Sequence, residues 1–243
     1  WLSQPSFWTI DGLNVTWQDG IASTKHMVRL VNGVGWVFVN AEVWGAKSYG
    51  AILVAGTVPD EPRNWRIRRC VIHDTYKSND TNQDQLIYCN TANLRGRGII
   101  ERNILYNALN GMGVKLGGPD PDSFGTHNVT VRYNTIYNTS QNILVSWRSS
   151  GNQIYRNIFQ KTGSNYSNIR GYQLVGQGNV AYDNVGYEAK SMFLNDPGYV
   201  GVSDLGGNVF PVNPDFYDHS AFFPINEAAQ PYGRYTRDTG STP

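Results

Sequence analysis

The stretch NVTVRYNTIYNTSQNILVSW, Asn128 to Trp147, sets two short β-branched runs around Asn134 and carries them across a polar corner at Asn138–Ser140. Turn formers recur too often for a helix, and each run is too short for an ordinary hairpin. The same pattern returns along the chain, in WTIDGLNV (8–15), VFVNAEVW (37–44), RIRRCVIH (66–73), IIERNILYN (99–107), NQIYRNIF (152–159) and NVAYDNVGY (179–187). Each segment has apolar alternation, then a small or amide residue, then a second short strand.

The pivot residues are Gly12, Asn40, Cys70, Asn103, Asn134, Asn157 and Asn184, spaced 23 to 33 residues apart. A further short strand follows each pivot: HMVRLVNG (26–33), YGAILVAG (49–56), DQLIYCN (84–90), GMGVKLGG (111–118), NILVSW (142–147), GYQLVG (171–176) and SMFLND (191–196). No useful helical period intervenes, so strands recurring this regularly can stack in parallel only by winding. The pattern predicts an all-β solenoid of about seven coils, each lying roughly 4.8 Å above the last. An amide at each pivot is expected to turn the chain in a left-handed bend and to hydrogen-bond the next coil. One domain spanning 1–243 is expected, with coils over about 7–207. The tail of about 208–243, rich in Pro and aromatics from Pro211, is read as an irregular wrap over the open end.

Bulk composition narrows the partners. A formal charge of +1 with 16% charged residues gives no basic footprint, which argues against nucleic acid and against an anionic membrane surface. No apolar run is long enough to span a membrane, and no charged-plus-apolar leader precedes Trp1. A processed product or a fragment is therefore expected, with a missing segment or a partner chain covering the end before Phe7. Cys70 and Cys89 lack zinc spacing; they are read as two buried thiols, with one disulfide as the alternative.

The repeated Asn pivots, the N-x-I-Y-x-N rhythm and the closing NPDFYDHSAFFPI (213–225) resemble the single-stranded right-handed parallel β-helix superfamily, which holds pectate-lyase-like and chondroitinase-B-like proteins. The resemblance covers about residues 7–223. It implies an extracellular or cell-surface protein that acts on polysaccharide.

Side chains on β-helix strands alternate inward and outward, so outward residues of successive coils line up. Arg29, Leu53, Ile87, Lys115, Leu144 and Gln173 are expected to form one such outer column, with Tyr88 pointing in. Extra residues at DTYKSNDTNQD (74–84) and GGPDPDSFGTHN (117–128), with GTVPDEPRN (56–64) on another side, are expected to wall this strip into a cleft floored by Lys115.

The resemblance implies β-elimination on a uronate-containing glycan. That chemistry needs a base for the C5 proton, an acid for the leaving oxygen, and a cation for the carboxylate. Lys115 is the candidate base, Arg148 the carboxylate grip, and His127 and Tyr76 the candidate proton donors. Arg29, Gln173, Trp147 and Asp84 are candidate substrate contacts. Asp74, Asp80, Asp84, Asp120 and Asp122 permit a calcium site, or the acid–base pair of a glycoside hydrolase.

Each of these residues also has a plain reading: a solvated lysine, a turn arginine, a locally bonded histidine, solvated loop acids. A non-catalytic glycan binder, adhesin or structural module is the competing function. Low charge and the absence of the calcium and paired-Asp motifs of pectate lyases and polygalacturonases favour that reading, whereas the walled cleft and Lys115 favour the enzyme.

Overall fold

The structure is a computed structural model of the 243-residue chain and describes residues 1–17, 26–47, 49–56, 62–76, 84–91, 96–122, 124–163, 165–216, 224 and 226–233. It is an all-β parallel β-helix. All pairings between its named strands are parallel.

Three strand faces enclose one apolar core. The first face runs Leu2–Ser3, Val28–Val31, Gly50–Ala55, Gln85–Asn90, the later halves of Ile104–Leu116 and Thr135–Ser146, Ile169–Tyr172 and Phe193–Asn195. The second is a separate sheet of eight strands: Thr9–Asp11, Val37–Val39, Trp65–Arg68, Gly98–Glu101, Val129–Arg132, Gln153–Tyr155, Val180–Tyr182 and Ser203–Asp204. The third runs from Asn14–Thr16 through Glu42–Trp44, Val71–His73 and the earlier halves of the two long strands to Ile158–Gln160 and Val185–Tyr187. The second face thus carries eight rungs, one more than the seven pivots.

The opening segment is most of one coil. Val129–Arg132 lies on the second face, Tyr133 bends the chain with φ of 54°, and Thr135–Ser146 bends continuously across the third and first faces. Asn134 points inward and is fully buried. Its Oδ1 accepts from the backbone N–H (3.0 Å) and the Nδ2 (2.9 Å) of Asn103, while its own N–H and Nδ2 donate to Asn157 Oδ1. The column continues through Asn157 and Asn184 to Asn208, and Cys70 caps it by donating its N–H to Asn103 Oδ1 at 2.9 Å. Stacking satisfies every amide that the inward turn would otherwise strand in the core.

The left-handed bend falls one residue earlier than expected. Arg69, Arg102, Tyr133, Arg156 and Asp183 hold the positive φ, and the residue after each points inward. Gly12 and Asn40 belong to this bend row, so Asn40 faces outward and donates to Asp11 Oδ1. A second buried amide stack, Asn152 on Asn179 at 2.8 Å, braces the corner that enters the second face.

Large side chains fill the interior. Trp36 stacks on Trp65 with centroids 5.3 Å apart, and Gly98 one coil further on has no side chain because a Cβ there would lie 2.1 Å from the Trp65 ring. Cys70 and Cys89 are buried free thiols. The tail takes two courses. Asn208 still belongs to the coil stack, and Phe216 and Ala229 pack sideways against Ile104, Ile158 and Val185 on the outside of the third face. That face offers an apolar outer column, which Phe216 and Ala229 bury along the flank, while Phe210 packs against the main core beside Gly186.

Candidate functional site

Register fixes the outer column of the first face as Arg29, Leu53, Tyr88, Lys115, Leu144, Arg170 and Leu194. Two expected members are thereby corrected. Ile87 points inward between Ile52 and Val114, and Tyr88 takes the outer place. Gln173 lies beyond its strand with φ of 43°, and Arg170 stands where it was expected.

Lys115 is half-buried between Tyr88 and Leu144, with its Nζ 4.7 Å from the Tyr88 ring centroid. Burial lowers its pKa from the ordinary lysine value, which enlarges the fraction present as neutral amine. Tyr88 also neighbours His26, whose ring lies 5.8 Å away and stacks on Tyr49 at 5.9 Å. Burial first, and then the Arg29 charge, pushes the His26 pKa down to about 4. His26 is therefore neutral at pH 7, and its buried Nε2 has no hydrogen-bond partner among the described residues. Burial chiefly, then the neighbouring Cys89 and Asp120, raises the Tyr88 hydroxyl, which stays a neutral phenol. Arg29 lies over the Trp1 ring at 4.2 Å. Arg170 is held by Asp196, its Nη2 3.0 Å from Oδ1, and the Gln173 N–H donates to the same carboxylate at 3.2 Å.

The remaining candidates are dispersed. His127 is buried at the entry to the second face, its Nδ1 2.6 Å from Ser150 Oγ, and burial lowers its pKa. Tyr76 stands beside Asp74 past the third face, and burial together with the Asp74 charge raises its pKa, making it a weaker acid. Asp74 accepts from Asn107 Nδ2 at 2.8 Å and contacts His73 Nδ1 at 2.8 Å. His73 in turn faces Glu42 through Nε2 at 3.2 Å and is stacked between Trp44 and Tyr106.

Asp84 is buried, and its carbonyl accepts from Thr75 Oγ1, so it is no part of an open wall. Arg148 and Asp122 form an exposed pair at 3.9 Å, and Asp120 Oδ1 accepts from the Asp122 N–H. Trp147 meets Tyr172 edge to face at the rim of the first face. Asp80 and most of the 74–84 wall lie outside the described residues. Among the described residues no group of three or more His, Cys, Asp or Glu is arranged to hold a metal ion.

Lys115 and Arg29 thus share one column, with Asp120 of the 117–128 wall near Tyr88, whereas His127, Tyr76 and Asp74 lie elsewhere. His26, Tyr49 and Arg170 escaped the sequence reading, and Tyr88, expected to point in, points out. The signal for Tyr88 was Cys89, whose buried place over Val54 sets the phase of its strand.

No family model and no curated protein matches this chain. The solved structure of XylC in complex with xylose is similar at 15% identity, covering 82% of this chain and 34% of its own, with a TM-score of 0.49. The chain therefore spans about a third of that protein's length.

Proposed function

We propose that this protein binds a uronate-containing polysaccharide along the first face and cleaves it by β-elimination. The observation that carries the reading is Lys115: a half-buried amine on a Tyr88 ring, between apolar neighbours, with its pKa lowered by burial. The neutral amine takes the C5 proton of the uronate residue. The C5–H electron pair becomes the C4=C5 double bond and the C4–O bond breaks. The new ammonium, on the same side of the sugar, returns the proton to the leaving oxygen, so one group serves as base and then acid. Arg29, three coils away in the same column, offers a second cation for a carboxylate further along the polymer.

A non-catalytic binding reading is favoured by one observation: the separate proton donors expected, His127 and Tyr76, lie off this face. The two readings part in one assay. Pectin, alginate and chondroitin are incubated with the protein, with and without calcium, while absorbance of the unsaturated product and new reducing ends are followed. The enzyme reading expects absorbance on at least one polymer and its loss in Lys115→Ala with an unchanged circular dichroism spectrum. No absorbance and no new reducing ends on any polymer leaves the binding reading.

A further inference from the structure

We propose that the second face is a separate binding surface for an anionic polysaccharide, anchored in a depression framed by Arg97, Ile99, Asn128, Thr130 and Gln153. This is independent of any chemistry at Lys115, because the two surfaces belong to different sheets.

The depression measures about 560 Å³. Two outward columns frame it over three successive coils: Arg97, Asn128 and Gly151 on one side, Ile99, Thr130 and Gln153 on the other. Gly151 leaves the first column open at its third coil. Three coils span about 10 Å along the axis, enough for a pyranose ring. Its lining pairs a cation with amide and hydroxyl groups around one apolar side chain, the mixture a charged sugar requires.

Charge gathers on the same face. Arg66 and Arg68 project from the strand below, flanking the buried Ile67, and Arg69 occupies the bend beside them. Glu101 is already neutralised by Arg132 at 2.7 Å, and Asp183 lies 3.8 Å from Arg156. Among the described residues none of Arg66, Arg68, Arg69 and Arg97 has a carboxylate partner, and Arg68 Nε is buried with no hydrogen-bond partner. Four unneutralised guanidinium groups beside a polar depression suit carboxylates or sulfates on a polymer. A nucleic acid fits less well. The tyrosines here are closed off as stacking platforms, with Tyr155 lying on Tyr182 at 4.8 Å and Tyr133 surrounded by Arg102, Arg132 and Arg156.

The test compares Lys115→Ala with Lys115→Ala/Arg66→Ala/Arg97→Ala, since both arginines are exposed and their loss leaves the core intact. Binding to polygalacturonate, dextran sulfate, neutral dextran and single-stranded DNA is measured by calorimetry, with melting curves to confirm the fold. The triple variant is expected to bind at least one anionic polymer about tenfold more weakly, with neutral dextran bound by neither protein. Loss for polygalacturonate points to carboxylates, and loss for dextran sulfate to sulfates. Equal affinity of the two variants for both polymers overturns the proposal, as does tighter binding to DNA than to either.

Discussion

Asn134 carries several links of the structure at once. Its Oδ1 serves two donors of Asn103, and its Nδ2 also reaches the Ile100 and Arg132 carbonyls. Asn134→Ala strands the Asn103 N–H in a fully buried place and takes one of two acceptors from its Nδ2, and a loss of about 2–4 kcal/mol is expected, read from denaturant unfolding. His26 makes a pH prediction. Its pKa is about 4 in the folded chain against 6.5 in the unfolded one, so between those values the unfolded state binds more protons. The His26 contribution is fully present above about pH 6.5 and is lost as pH falls through 4, costing on the order of 2 kcal/mol with partial solvent screening. Melting curves across that window should flatten in His26→Phe; an unchanged acid dependence would assign the loss to other groups.

At the scale of elements, steric fit between coils sets what each strand tolerates. Gly98 faces the Trp65 indole, so Gly98→Ala is expected to lose about 1–3 kcal/mol, and Trp65→Leu in the same chain should recover part of it. Additive losses in a double-mutant cycle would show that the two positions do not share this contact. The recurring strands were legible from sequence because buried amides from Asn103 to Asn184 repeat at the same place in each coil. Phase within a strand was less so. Gln85, Leu86 and Ile87 are all buried, which erases the alternation that would have marked Tyr88 as outward. The bend row was likewise hidden, since Arg69, Arg102 and Arg156 are not residues that announce a left-handed turn. The placing of the candidate donors was hidden for a related reason: His127 and Tyr76 sit at corners, and a corner residue gives no sequence sign of which face it serves.

The whole molecule is a prism whose faces differ in character: cations spaced along an apolar column on the first, arginines without a carboxylate partner among the described residues on the second, and an apolar flank against which Phe216 and Ala229 pack on the third. A net charge of +1 conceals this division, because acids elsewhere offset the arginines of the second face. Polymer binding on the first and second faces should weaken as salt rises, with the second-face share absent from the Arg66→Ala/Arg97→Ala protein.

The sharpest test concerns the proton taken at Lys115. Initial rates of unsaturated-product formation are measured against pH for the unaltered protein and for Lys115→Arg, which keeps the positive charge but cannot act as a base. The account predicts that the unaltered protein gains rate as pH rises toward a lysine pKa lying below 10.5, and that Lys115→Arg loses about 10²–10⁴-fold in rate while still binding the polymer. A Lys115→Arg protein as active as the original, with the same pH profile, would contradict it.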